Sequence, residues 1–384
     1  MTQPAVYLDH NASAPLLPEA RAAQIAALDL AGNPSSVHSH GRALRDLIEG
    51  ARTSVAALAG AERSQVVFTG SATEAITQAI VAGAQALEVD AVVVTAGDHA
   101  AVLKAAEATR LPVKVVGLDA DGRIRLEEIA AAVAAADLVG MKLLVCAHLV
   151  NNETGVVQPV EHLEVMVGPT PHHLFIDAVQ GFGRLALEFA SRAPDMVAIS
   201  GHKIGGPAGV GALLVKGHAD QVRLIPGGGQ EQGRRGGSES ASAIAGFGAA
   251  AEAFPSRLQE ARVGALIERI EGGMRELVPE LVIFGERTER IGSVTNFAVP
   301  DLKSAVAMIG LDLLGISVSS GSACSSGKVG NSHVLAAMEV PPELAECAMR
   351  VSVGWSTTAD DAAAYLKGFG EVLERHRGRR NRAA

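Results

Sequence analysis

Short apolar runs, each closed by a polar or glycine-containing turn, recur through the first two thirds of the chain. They lie at residues 66–69, 91–95, 113–116, 142–149, 173–176, 196–199 and 211–215. Runs this short and unbroken predict strands buried on both faces, as in a parallel sheet. Segments with helical spacing separate them: 18–30, 41–59, a helix from about 72 to 87, and an alanine-rich stretch at 126–136. This alternation predicts an α/β fold with a mainly parallel seven-stranded sheet. A helical run from Ala241 to about Ile270 breaks the pattern. Shorter strands at 281–284 and 293–299 then alternate with helices at 302–314 and 359–375. Two domains are expected: a large one over 14–252, and a smaller α/β one made of 1–13 and 253–384. The boundary is placed near Phe254-Pro255-Ser256.

Bulk numbers narrow the function. The 384 residues are 48% hydrophobic and 20% charged, so the chain can build a large core. Net charge is −9, which argues against nucleic-acid or anionic-membrane partners. Only the tail from Arg375 to Arg382 is basic. The start, MTQPAVYLDH, lacks a basic segment followed by an apolar one, and no apolar run reaches the roughly 20 residues of a membrane span. A cytoplasmic protein is expected. Cys146, Cys324 and Cys347 have no paired spacing, so neither a disulfide framework nor a zinc site is expected.

Ligands of such sheets sit beyond the carboxyl ends of the strands. There the chain places Asp177, Gln180, and the cluster Ser200-Gly201-His202-Lys203. One buried acid, one lysine and small hydroxyls suit pyridoxal 5'-phosphate (PLP), whose aldehyde condenses with a lysine and whose ring nitrogen pairs with a carboxylate. From these residues alone, a structural Asp–Lys ion pair is an equal reading. Gly70-Ser71-Ala72-Thr73-Glu74 joins a strand to a helix, as a phosphate cradle or a plain capping box. Pro226 to Ser238 is glycine-rich and reads alone as a flexible linker. The stretch from Ser317 to Gly330 is small, polar and glycine-rich, and carries Cys324 where a thiol is exposed.

Asp177-Ala178-Val179-Gln180, Ser200-Gly201-His202-Lys203, Asn151-Asn152-Glu153-Thr154-Gly155 and Ser319-Ser320-Gly321-Ser322-Ala323-Cys324 together resemble the NifS/IscS-type cysteine desulfurases of the class V aminotransferase family, which are fold-type I PLP enzymes. The likeness runs from Tyr7 to about Trp355. It implies that Lys203 carries the cofactor and serves as general base, that Cys324 is the nucleophile, and that His99 stacks on the ring and moves protons. Ala72, Thr73, Asn152, Asp177, Gln180, Ser200 and His202 are implied to hold the cofactor. Ser238 is implied to reach the phosphate of a neighbouring subunit, which makes a homodimer. Asn33, Asn152 and Arg350 are implied to bind L-cysteine. No metal is expected. The implied product is L-alanine, with a persulfide on Cys324 passed to a scaffold protein or a tRNA-thiolation factor. Selenocysteine lyase, another class V activity, and a non-catalytic sulfur relay are the alternatives.

Overall fold

Seven of the apolar runs lie side by side in one sheet. The computed structural model describes residues 6–320 and 332–383. After β1 (Val6–Tyr7), the strands are β2 (Val66–Thr69), β3 (Ala91–Thr95), β4 (Val113–Val116), β5 (Leu143–His148), β6 (His173–Asp177), β7 (Met196–Ser200) and β8 (Gly211–Val215). The sheet order is β2-β8-β7-β6-β5-β3-β4. β4, β3, β5, β6 and β7 run parallel, whereas β8 is antiparallel to both neighbours. β2, β5, β7 and β8 are buried at every position, which is why they read as unbroken apolar runs. The edge strand β4 is buried only at Val116.

The chain moves outward from β3 to β4, then returns to place β5 on the other side of β3. That reversal opens a crevice beyond the carboxyl ends of β3 and β5. Asp98 and His99 follow β3; His148 ends β5 and Asn152 follows it.

The helical run after the sheet is two helices. Ala241–Glu260 passes straight through Pro255, and the break comes at Arg262, whose φ of 49° is left-handed. Val263–Leu277 follows. Beyond it lie β9 (Val282–Ile283), β10 (Val294–Ala298), β11 (Ile316–Ser317), β12 (Ser319–Ser320) and β13 (Ala348–Ser352). Four of these form an antiparallel sheet ordered β12-β13-β10-β9. It carries a separate apolar cluster that includes Ile270, Met274, Phe297, Tyr365 and Phe369.

The N-terminal arm links the two sheets. β1 pairs parallel with β11, and His10 N–H donates to the Ser352 carbonyl. A few residues on, the Ala14 and Leu17 N–H groups donate to the carbonyls of His202 and Gly205. Among the described residues, no helix is long and apolar enough to cross a membrane.

Candidate active site

Beyond the carboxyl ends of β3, β5, β6 and β7 lies a cavity of about 200 Å³. Asp177, the last residue of β6, stands in its wall with Gln180, His202 and Lys203. Ala72, Thr73, His99 and Asn152 complete the parts of the lining named by sequence; Asn11 and His148 line it too.

Each group is held by local structure. Asp177 Oδ1 accepts from Val179 N–H at 3.0 Å. Burial raises its pKa, opposed by that hydrogen bond. A carboxylate so desolvated gains most from a cation brought against it. Lys203 Nζ donates to the carbonyls of Asn11 and Ala12 at 2.6 and 2.9 Å. Gln180 Nε2 donates to the same Asn11 carbonyl, leaving Oε1 buried without a partner. His202 shares a hydrogen bond with Ser13, and burial, with help from Lys203, lowers its pKa to about 4. It is therefore neutral at pH 7. His99 caps helix Ala100–Ala108, its Nδ1 accepting from Ala101 N–H at 3.1 Å. In the neutral ring that contact places the proton on Nε2.

The turn after β2 separates capping from ligand binding. Ser71 accepts from Glu74 N–H and does the capping, while Thr73 lines the cavity. Gly211 makes the close approach possible: a Cβ there would sit 2.8 Å from Ala72 N. Glu74 accepts from Gly70 N–H and from Arg235, which ties this turn to the glycine-rich loop.

That loop is not a loose linker. Glu231 is buried and pairs with Arg52 through two contacts of 2.7 and 2.9 Å, and its carboxylate also accepts from Phe68 N–H. Ser238, at the loop's end, is exposed and lies outside this chain's cavity lining. Ser200 is buried at the end of β7, also outside the lining. Asn33 is exposed, its Oδ1 accepting from Ser35 N–H. Arg350 is buried beside the cavity; Nη1 donates to the Asn152 carbonyl at 3.0 Å and Nη2 to Asp9 Oδ1 at 2.7 Å. Cys324 lies outside the described residues. The segments flanking 321–331 converge here: Ser319 pairs with Arg350 across β12 and β13, and the Ser332 hydroxyl donates to Glu153.

Sequence reasoning missed several groups. Asn11 supplies a carbonyl to two site residues, Gln180 and Lys203. His148 lines the cavity with Nε2 unpartnered, its Nδ1 held by Asp98 Oδ1 at 2.7 Å. Arg184 donates to the backbone carbonyls of Gln180 and Lys203 at 3.3 and 3.2 Å. Most of these depend on contacts across long stretches of chain, up to 192 residues for Asn11 and Lys203, that local pattern does not encode.

The donor set fits PLP: a desolvated acid in the wall, a lysine whose amine donates to two backbone carbonyls, unsatisfied polar atoms on Gln180 and Asn11, and helix-start N–H groups at Ala72 and Thr73. An α/β sheet with these groups at its carboxyl edge defines a PLP-dependent enzyme. The chain belongs to the aminotransferase class-V family, which matches residues 6–364. It is 35% identical to cysteine desulfurase 2 of Trichormus variabilis over 97% of this chain and 94% of that one. It is 33% identical to cysteine desulfurase NifS of Azotobacter vinelandii, covering 93% of this chain and 89% of that one. Among solved structures, the NifS-like protein from Rickettsia africae superposes with a TM-score of 0.85 at 30% identity, over 96% of this chain and 99% of that one.

Proposed function

We propose that this protein is a cysteine desulfurase: it takes sulfur from L-cysteine onto Cys324, releases L-alanine, and hands the sulfur to an acceptor. The observation that carries the reading is the cavity wall shared by Asp177 and Lys203, in a chain similar to named cysteine desulfurases over nearly its whole length. Bound PLP supplies an electron sink next to the substrate Cα.

The residues divide the work. Asp177 keeps a protonated ring nitrogen charged. Ala72, Thr73, Ser200 and His202 take the phosphate, and Gln180 the phenolic oxygen. Neutral His202 donates one hydrogen bond without adding charge. His99, with its proton on Nε2, covers the ring. Lys203 leaves the Asn11 and Ala12 carbonyls to carry the cofactor, and its amine takes the Cα proton of the substrate. Arg350 receives the substrate carboxylate with Asn152; Asp9 holds the guanidinium in place meanwhile. The Cys324 thiolate then attacks the substrate sulfur. The S–S bond forms as the C–S bond breaks, the electron pair stays with the β-carbon, a proton is added there, and a proton returned from Lys203 to Cα completes L-alanine. Asn33 joins Arg350 and Asn152 in binding the substrate.

The sulfur acceptor is a protein scaffold for iron–sulfur clusters or a tRNA-thiolation factor. The enzyme is a cytoplasmic homodimer in which exposed Ser238 reaches the neighbouring subunit's phosphate. Residues 14–252 form the cofactor domain, and 1–13 with 253–384 the smaller one.

The test is absorption of the purified protein with PLP, then L-cysteine with reductant and assay of sulfide and alanine. Lys203→Ala removes the band of the lysine-bound cofactor. Cys324→Ser stops both products. Full alanine production in Cys324→Ser refutes the desulfurase reading and favours a lyase; no cofactor band in the parent protein refutes the site.

A further inference from the structure

At the opposite edge of the sheet, β6, β7 and β8 bring three ligand-type side chains together. His173 is the first residue of β6, Asp195 immediately precedes β7, and His218 sits in the turn Gly217–Ala219 that follows β8. Backbone register fixes the meeting: Asp195 N–H donates to the Leu174 carbonyl and Lys216 N–H to the Asp195 carbonyl, each at 2.9 Å. Asp195 Oδ1 accepts a hydrogen bond from His218 Nε2 and lies 3.6 Å from His173 Nδ1. One ligand atom from each residue falls within 4.8 Å of the others. His173 Nδ1 is buried with no hydrogen-bond partner. Asp195 Oδ2 is taken by Leu174 N–H at 2.6 Å, which aims the carboxylate. Lys216 is drawn off to the Ala190 carbonyl and the face of Phe189.

We propose that His173, Asp195 and His218 bind a divalent transition-metal ion, zinc by ligand class. Two imidazoles and a carboxylate are zinc ligands at about 2.0–2.2 Å, which in a tetrahedron sets donor atoms roughly 3.3–3.5 Å apart. The His173–Asp195 separation already approaches that. His218, exposed at the rim, swings off its direct hydrogen bond to admit the ion, and water takes the fourth position. The site is separate from the cofactor cavity: the five residues of β7 put about 17 Å of strand between Asp195 and Ser200. Its effect is a clip across the three strands whose other ends carry Asp177, Lys203 and Gly211. An ion that binds only the folded chain stabilises it.

The test uses the full-length, untagged, PLP-loaded chain carrying Cys324→Ser, so that no loop thiol takes the metal. Calorimetric titration with zinc chloride should show a single saturable ion per chain, and cobalt(II) should give the intense visible spectrum of a four-coordinate site. Melting temperature should rise with zinc. Adding His218→Ala should abolish all three. His218→Gln, which keeps a hydrogen bond to Asp195 but is a poor ligand, should melt like the parent without metal and lose the zinc-induced rise. Absence of saturable zinc binding in the parent overturns the proposal. So does undiminished binding in both His218 variants.

Discussion

The glycine-rich loop that ends at Ser238 is pinned by one buried ion pair, and neutralising Glu231 measures how much depends on it. Arg52 and Glu231 side chains are 4% and 0% exposed. Glu231 and Gln232 adopt left-handed φ of 48° and 58°, which the pair must hold in place. Glu231→Gln keeps the volume and removes the charge. Arg52 then faces a neutral amide and keeps Glu49, 37% exposed and 3.0 Å away, as its charged partner, with the Val66 carbonyl and its seat over the Phe68 ring. Breaking a buried pair costs about 3–5 kcal/mol. The Glu49 contact places this case near the lower end, about 3 kcal/mol. Unfolding entropy of about 2.1 cal/mol/K per residue over the chain comes to ~0.8 kcal/mol/K, so Tm should fall by about 4 °C. Calorimetry of the PLP-loaded enzyme reads this directly. Replacing both partners by apolar residues, Arg52→Met with Glu231→Leu, should recover at least half the loss. A Glu231→Gln protein that melts within about 1 °C of the parent refutes the assignment of the loop's order to this pair.

Glu153 gives a pH test. Burial lifts its pKa from 4.5 to about 7, against the Ser332 hydroxyl and Arg350. A raised acid costs nothing below pH 4.5 and removes stability as pH rises to 7, up to about 3 kcal/mol at ~1.4 kcal/mol per unit. Glu153→Gln should therefore be the more stable protein at pH 8 and match the parent near pH 4.5; parallel pH curves from denaturant unfolding would exclude this. Arg184→Met removes the donors to the Gln180 and Lys203 carbonyls. At about 1–1.5 kcal/mol for a lost hydrogen bond, PLP should bind roughly tenfold more weakly by fluorescence titration, and unchanged affinity would rule out a positioning role.

Strands buried on both faces advertise themselves, because both faces demand apolar side chains. β2, β3 and β5 to β8 were legible for that reason, and so were the polar groups placed just after them, Asp177, His99 and Asn152. The two-residue strands β11 and β12 were not legible: nothing in Ile316–Ser317 or Ser319–Ser320 distinguishes a strand from a loop until β1 and β13 lie beside them. The helical run from Ala241 was legible, but not its interruption: the helix passes through Pro255 and the break falls at Arg262, whose left-handed φ no local pattern announces. The loop at 226–238 looked like a linker because its anchors reach far along the chain: Glu231 to Arg52, 179 residues earlier, and Arg235 to Glu74, 161 residues earlier. His148 was hidden in an apolar run, and its partner Asp98 lies 50 residues away.

The arm from Asp9 to Ser13 has a consequence for how the protein matures. Asn11 is fastened by the Ser352 hydroxyl, and Asp9 by Arg350, each 341 residues later in the chain. At translation rates of about 5–20 residues per second, the arm waits roughly 20–70 s for these partners to be made. The seven-stranded sheet can close during that interval, but Lys203 and Gln180 still lack the carbonyl that orients them. Completion of the cofactor pocket is thereby coupled to the final strand of the smaller sheet, and a nascent or C-terminally shortened chain is left with an unfinished pocket.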